Sequence, residues 1–331
     1  MYKIIGVTVL SAALIATGIL VFYDKKREGA AELVEQEWLA RPIQKVVSFG
    51  STKTLEVLPL VNWHTGKEGL KTEPGVSYLI KTDTATVLFD VGFNKKVESP
   101  SPLEYNMDRL GISLSDIDMV FLSHAHRDHV GGLAWEEAGS FSLGVEQVNL
   151  SGKRAISPIP FQYPDINVET YSQPVSLAPG LATTGPIARQ LFIGRIEEQA
   201  LVINLEGKGL VVIVGCGHQT LDKLLARIDE SFDEPLYGIL GDLHYPVPQG
   251  RLYIAGIDIQ RRLASGNGLF DPLTMDGVTH DINTLKDREI GFISLGGHDT
   301  SDEVLSKFKN QFGPRFHRAK SGVNMTISST E

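Results

Sequence analysis

The sequence predicts an α/β fold in which two β-sheets face each other and helices cover their outer sides. Three observations support this prediction. Apolar residues make up 42% of the 331 residues, which is enough for a substantial core. Runs of β-branched and aromatic residues come in pairs early in the chain and alternate with helical patterns later. Polar side chains directly follow several of these runs, which is typical of a functional site at one edge of the sheets.

The first element is an apolar run, IIGVTVLSAALIATGILVFY, from Ile4 to Tyr23. Twenty residues of helix are about 30 Å long, close to the thickness of a bilayer core. We therefore expect residues 1–27 to be a membrane anchor or a signal segment, and we favour a single-span anchor because no cleavage site is evident. The basic residues of the stretch 25–27 favour a cytoplasmic catalytic domain. A cleaved signal would instead give a periplasmic or secreted protein.

The elements that follow are a connector helix, residues 28–46, and one catalytic domain, residues 47–331. Turn signals separate the strand candidates LEVLPLV, VSYLIK and TVLFD, and a helix near residues 103–110 leads to the strand DMVFLS. ALVINL and LVVIVG are expected to pair as a hairpin before the helix TLDKLLARIDESF. The strands YGIL and GFISL and helices near residues 281–288 and 301–312 complete the domain.

Composition narrows the class of partner. The net charge of −9 does not favour nucleic acid, because binding to a phosphate backbone normally needs a basic surface. Cys216 is the only cysteine, so neither an intrachain disulfide nor a thiolate-rich zinc site can form. The expected partners are a small-molecule substrate, with an anionic group as one alternative, and the membrane through the N-terminal helix. Nothing in the sequence indicates the oligomeric state.

The segment SHAHRDHVGG, residues 123–132, carries the densest cluster of chemical groups. His124 and His126 are two positions apart in an extended segment, so their imidazoles face the same way and can share one metal ion. A tight turn then lets Asp128 and His129 face a second point. Imidazole and carboxylate suit divalent metals, and two ions can hold one hydroxide between them. We expect two ions, with Zn²⁺ favoured and Mn²⁺ or Fe²⁺ as alternatives.

Further ligands are expected at the ends of later strands. His218 follows VVIV, Asp242 follows YGIL and His298 follows GFISL. Each of them is one polar residue just past an apolar strand, which is the placement that a metal site at a sheet edge needs. Asp90, at the end of TVLFD, is expected to orient a histidine ligand or the loop backbone.

This ligand set resembles the metallo-β-lactamase superfamily of two-metal hydrolases, from about residue 55 to 315. The resemblance implies a four-layer αββα sandwich. It also implies that His124, His126 and His218 bind the first ion, that Asp128, His129 and His298 bind the second, and that Asp242 bridges the two.

Within the superfamily, the flanks EEQALVINLEGKGLVVIVGCGH and GHDTSDEVLSKFKNQFG resemble the dihydropterin ribofuranosyl-aminobenzene phosphate synthase of methanopterin biosynthesis. The chain departs from that subfamily at three places. Pro74 stands where the subfamily has histidine. Asp242 replaces the second glycine of the subfamily's Gly-Gly-x-His motif, and Asp299 replaces its usual cysteine. These departures favour general two-metal hydrolysis over the specialised synthase reaction.

The expected function is therefore hydrolysis of a phosphoester, an ester or a lactone by a metal-bridged hydroxide. Asp128 is expected to bind metal and to orient the hydroxide, with acceptance of its proton as a further role. Either His244 or a new metal-bound water is expected to protonate the leaving group. Two alternatives remain: a transferase related to the pterin synthase, and a non-catalytic metal-binding protein. The insertion at residues 245–274 is expected to form a lid or a wall of the substrate groove.

Overall fold

The computed structural model describes residues 2–254 and 256–329, and only the backbone of residues 2–14 and 16. The helices are α1 (Tyr2–Ala40), α2 (Pro102–Leu110), α3 (Leu133–Ala138), α4 (Leu221–Ser231), α5 (Ile259–Leu263), α6 (Met275–Asp287) and α7 (Asp302–Phe312). The strands are β1 (Thr54–Val61), β2 (Ser77–Thr82), β3 (Thr86–Phe89), β4 (Met119–Phe121), β5 (Arg154–Ser157), β6 (Val168–Thr170), β7 (Val175–Ala178), β8 (Leu181–Thr183), β9 (Ile187–Leu191), β10 (Gly194–Glu198), β11 (Leu201–Leu205), β12 (Gly209–Ile213), β13 (Leu236–Gly241), β14 (Tyr253–Ile254), β15 (Ile257–Asp258), β16 (Phe292–Leu295), β17 (Phe316–Arg318) and β18 (Met325–Ser328).

Two seven-stranded sheets form the centre of the fold. The first has the order β18-β1-β2-β3-β4-β5-β6, and the second has the order β17-β16-β13-β12-β11-β8-β7. Apolar side chains of both sheets, among them Phe89 and Phe121 of the first and Val211 and Ile213 of the second, form the buried layer between them. A second cluster packs the other face of the second sheet against α4, α6 and α7, and a third packs α2 against the first sheet. The predicted αββα sandwich is thus confirmed.

Helix α4 shows why these segments become outer layers. Leu221, Leu224, Leu225 and Ile228 are spaced three or four residues apart, so they share one face of the helix, and all are buried against the second sheet. Helix α7 has the same pattern, and the Ser301 hydroxyl caps its start by accepting a hydrogen bond from the Val304 N–H. The predicted antiparallel hairpin of β11 and β12 is also present.

Parallel pairing brings the polar strand ends together. Strands β3, β4 and β5 run parallel in the first sheet, and β12, β13 and β16 run parallel in the second. The segments that carry Asp90, the histidine cluster, His218, Asp242 and His298 leave the carboxyl ends of these strands. Both sheets therefore deliver their polar residues to one edge of the sandwich.

The N-terminal helix requires a correction. Most of Ile4–Tyr23 falls on residues whose side chains are not described, and none of the helices in the described part of the chain is long and apolar enough to cross a membrane. The predictions of a membrane anchor and of a membrane-bound location are therefore wrong for the described residues.

Helix α1 also continues without a break through the charged residues 24–27, and its second half packs against the domain. The ion pairs Glu35–Lys223 and Glu37–Arg195, both 2.7 Å, join this half to α4 and β10. Residues 28–40 of the expected connector helix are thus the docked end of one long helix, which ends at Ala40.

Candidate metal centre

Three imidazoles from both sheets form the first group of ligands, called here the first triad: His124, His126 and His218. Their ring centroids are 4.9, 5.2 and 5.0 Å apart, and each pair of ring planes is nearly perpendicular. One ring nitrogen of each lies within 4.8 Å of those of the other two. Three nitrogens converging in this way match the histidine ligation of a divalent metal ion.

The second triad consists of Asp128, His129 and His298, and its ligand atoms also lie within 4.8 Å of one another. The Nε2 atom of His298 is 3.0 Å from a carboxylate oxygen of Asp128. The turn that carries Asp128 and His129 passes so close to the loop after α3 that a Cβ at Gly131 would lie 2.0 Å from the Ser142 carbonyl oxygen. Gly131 also has a φ of +93°, so glycine is required there.

The side chains of the two triads differ in their exposure to solvent. The side chains of His124, His129, His218 and His298 are buried, whereas about a quarter of the Asp128 side chain and part of His126 are exposed. Solvent and a substrate can therefore approach the site from the side of Asp128 and His126.

Unpartnered buried nitrogens show that the site fits a metal ion. Within the described part of the chain, nothing forms a hydrogen bond with Nε2 of His124 or Nδ1 of His218. A buried polar atom left without a partner costs about 1–3 kcal/mol, and a metal ion would remove that cost. Burial, aided by the neighbouring histidines, holds the pKa of both residues well below the usual value, so they are neutral and can donate a lone pair to a metal.

Asp90 orients the second triad. One of its carboxylate oxygens lies 2.6 Å from Nδ1 of His129 and accepts a hydrogen bond from the Ser123 hydroxyl, while the other accepts from the Ser123 N–H. Burial lowers the pKa of His129, but Asp90 and, to a smaller extent, Asp128 reverse this and raise it. Because Nδ1 donates to Asp90, Nε2 is the ring nitrogen of His129 that can bind a metal. Asp90 has a φ of +55°, one of several strained positions near the site.

Sequence reasoning missed Glu198, the last residue of β10. Its carboxylate is fully buried and accepts hydrogen bonds from the N–H groups of Cys216, Gly217 and His218 at 2.9, 2.9 and 2.7 Å. Burial raises the pKa of Glu198 to about 7, although these hydrogen bonds oppose the shift. Glu198 therefore fixes the loop that carries His218, and a carboxylate just before the apolar strand β11 was the available signal.

Asp242 does not lie in either triad. One of its oxygens accepts from the Leu243 N–H at 2.9 Å and from the Thr300 hydroxyl, and the other accepts from the Asp299 N–H at 3.0 Å. A different carboxylate, Asp299, faces the histidines instead, together with His244 and the Cys216 thiol. Neither Asp299 nor Cys216 was predicted as a site residue. Sγ of Cys216 is 3.0 Å from Nε2 of His129.

The insertion at residues 245–274 forms a wall of the site. Gln260 of α5 donates to Asp299. Arg251 donates to the carbonyl oxygens of Gly297 and Thr300 at 2.6 and 3.1 Å, and its guanidinium lies over the Trp63 ring at 4.7 Å. These contacts tie the insertion to the loop that carries His298.

Comparisons with known proteins agree with this architecture. The model of the metallo-beta-lactamase superfamily matches residues 70–298. The 7,8-dihydropterin-6-methyl-4-(beta-D-ribofuranosyl)-aminobenzene-5'-phosphate synthase of Methanocaldococcus jannaschii is 21% identical over 242 residues, which cover 60% of this chain and 80% of that protein.

Two solved structures are similar in fold. Tm1679, a metal-dependent hydrolase of the beta-lactamase superfamily, has a TM-score of 0.55 at 20% identity over 83% of this chain and 99% of that chain. The metallo-beta-lactamase fold protein YhfI from Bacillus subtilis has a TM-score of 0.50 at 14% identity over 83% of this chain and 100% of that chain.

The sandwich and its histidine-carboxylate edge thus define a metal-binding α/β protein. Because the family match spans more than half of its length, the chain belongs to the metallo-beta-lactamase superfamily.

Proposed function

We propose that the protein is a hydrolase that uses two divalent metal ions, Zn²⁺ in the first instance, on a small phosphoester, ester or lactone. The observation that supports this is the pair of adjacent triads, one with three histidines and one with two histidines and an aspartate. His124 and His129 link them, with ring centroids 4.0 Å apart. When bound, such ions lower the pKa of water and polarise the carbonyl or phosphoryl oxygen under attack.

In this proposal Asp128 binds a metal ion and orients the attacking water, and it does not accept a proton. Burial raises its pKa, but the hydrogen bond with His298 and the charges of the neighbouring histidines together outweigh burial, and the pKa falls to about 2. A carboxylate with so low a pKa is a weak base at neutral pH. Its partly exposed position, at the open side of the site, lets it align water with the substrate.

His244 is placed to protonate the leaving group. Its Nδ1 lies 3.0 Å from an Asp299 carboxylate oxygen, and Nε2 has no partner among the described residues. Asp299 thereby fixes the orientation of the His244 ring, and Nε2 is the atom that donates the proton. His244 has a φ of +53°, a strained conformation that often marks a functional residue.

The two triads should respond differently to pH. In the metal-free protein, burial lowers the pKa of His298, but Asp299 and Asp128 raise it to about 10. Burial lowers the pKa of His126 to about 4. Because metal displaces a proton only from a protonated ligand, the affinity of the second triad should fall at least about tenfold per pH unit below the raised pKa of His298, since the pKa of His129 is raised as well. The affinity of the first triad should stay constant down to the pKa of His126.

Zn²⁺ isotherms measured by chelator competition at about pH 8 and about pH 6 test this. Between the two pH values, only the affinity of the weaker of the two Zn²⁺-binding steps should change. His298→Ala should remove that step. Two steps that weaken equally would contradict the assignment of His298.

Turnover by the full-length protein, loaded with Zn²⁺ or Mn²⁺, tests the function. Bis(p-nitrophenyl) phosphate, p-nitrophenyl acetate and a simple lactone represent the three substrate classes. We expect hydrolysis of at least one, reduced about 100-fold or more in His298→Ala. His280→Ala, a change at an exposed histidine of α6, should retain full turnover. His244→Ala should keep its metal and lose most of its turnover.

Hydrolysis of the phosphodiester alone would identify a phosphoester hydrolase, and hydrolysis of the ester or lactone an acyl hydrolase. If no substrate turns over while two ions are bound, the hydrolase proposal is contradicted. A transferase would then be favoured, because the similar Methanocaldococcus protein is a synthase. A non-catalytic metal-binding protein would be the remaining alternative.

A further inference from the structure

The hydrogen bonds of Asp242 join it to the Leu243 backbone and to the loop that follows β16. Both carboxylate oxygens accept hydrogen bonds, from the Leu243 N–H, the Asp299 N–H and the Thr300 hydroxyl. The residue is 1% exposed, and it does not belong to any group of converging ligand atoms among the described residues. Asp242 has both lone pairs of one oxygen engaged, with Leu243 and Thr300, and its other oxygen accepts from the Asp299 N–H. In the present geometry it holds residues 299 and 300 in place.

Asp299 occupies the position between the triads. One of its carboxylate oxygens is 3.0 Å from Nδ1 of His244 and 3.6 Å from Nε2 of His298, a member of the second triad. Asp299 also belongs to a buried group of converging ligand atoms with Cys216, His218 and His244, and His218 is a member of the first triad. It therefore approaches one ligand of each triad.

The remaining contacts of Asp299 hold its carboxylate near the two triads. Gln260 donates to the second carboxylate oxygen from the wall of the site, and Asp242 holds the backbone N–H. Nearby, Nδ1 of His218 is one of the buried nitrogens without a hydrogen-bond partner in the described part of the chain. Such atoms are costly unless a ligand satisfies them, and a divalent ion beside Asp299 would do so.

We propose that Asp299, and not Asp242, is the carboxylate that completes the metal centre, and that Asp242 is a positioning residue that holds Asp299 in place. This inference rests on the proposed two-metal function. It assigns the last oxygen ligand to the residue directly after His298. Carboxylate oxygen is a suitable ligand for Zn²⁺, and a second carboxylate that fixes the segment carrying a ligand is a common supporting arrangement.

Metal binding without substrate tests the proposal. Full-length Asp299→Asn, Asp242→Asn and the control Asp302→Asn, which alters a half-exposed carboxylate on α7, are dialysed with Zn²⁺, and metal per chain is measured by mass spectrometry. Cobalt titration then reports the ligand field of each variant. We expect Asp299→Asn to weaken one ion about 10–100-fold and to change the cobalt spectrum. Asp242→Asn should lower the melting temperature and weaken the same ion less than Asp299→Asn does, and the control should match wild type.

The opposite pattern would overturn the proposal: Asp299→Asn retaining both ions with an unchanged spectrum while Asp242→Asn loses one. Should Asp242→Asn fail to fold, Asp299→Asn decides alone, because retention of both ions with the wild-type spectrum refutes the assignment. Asp299→Glu, which restores a carboxylate, should regain part of the lost affinity. Because these measurements need no turnover, an absence of hydrolysis would contradict the proposed function without affecting the assignment of Asp299.

Discussion

Replacing Asp90 with asparagine is expected to weaken metal binding by about 10–100-fold and to lower turnover at least as much. Asparagine has nearly the same volume and tolerates the φ of +55°, so packing and backbone are preserved. Its amide must still accept from the Ser123 N–H, which turns its NH₂ group toward Nδ1 of His129. Nδ1 must then accept, so the proton moves to Nε2, the atom that the metal needs.

Zinc affinity measured by chelator competition checks this result. Asp83→Asn is the matched control, because Asp83 also accepts from a backbone N–H, that of Lys53, but lies in an exposed turn. The control should retain wild-type affinity. If Asp90→Asn also retained it, the orientation of His129 by Asp90 would have no role in metal binding.

The site residues that could be predicted from the sequence are those that lie just beyond the end of a strand. His124, His218 and His298 each come shortly after an apolar run. Parallel pairing of the strands places such residues at one edge of the sandwich. The local pattern was therefore sufficient to predict that they converge.

The choice between Asp242 and Asp299 could not be made in this way. Both follow strands of the second sheet, β13 and β16. Only the three-dimensional course of the two loops places the Asp299 N–H and the Thr300 hydroxyl against the carboxylate of Asp242. Glu198 was missed for a related reason. Its partners are backbone groups 18 to 20 positions later in the chain, and backbone groups leave no trace in a sequence pattern.

The strands from β5 to β10 were not predicted, because several of them are short and partly exposed, as in β6 and β10. Their alternation of apolar and polar residues is too brief to distinguish a strand from a loop. The insertion at residues 245–274 was treated as a loop for the same reason, although it contains β14, β15 and α5.

Replacing Glu198 with glutamine is expected to lower the free energy of unfolding by about 3 kcal/mol. The carboxylate accepts from three N–H groups with two oxygens, whereas the amide has one oxygen and an NH₂ group that cannot accept. Whichever way the amide turns, at least one buried N–H loses its acceptor and faces another donor. The loop that carries Cys216 and His218 should then shift, so metal affinity should fall together with stability.

Chemical denaturation and zinc titration of the same samples measure both effects. Glu197→Gln is the matched control one position earlier, where the side chain is partly exposed and pairs with Arg195 at 2.6 Å. Such a surface ion pair contributes at most about 1 kcal/mol, so the control should keep its metal affinity and nearly all of its stability. Equal losses in the two variants would show that β10 tolerates no change of charge, and the specific role of the Glu198 carboxylate would be refuted. A loss confined to Glu198→Gln would instead mean that the metal centre depends on a carboxylate that does not itself bind metal.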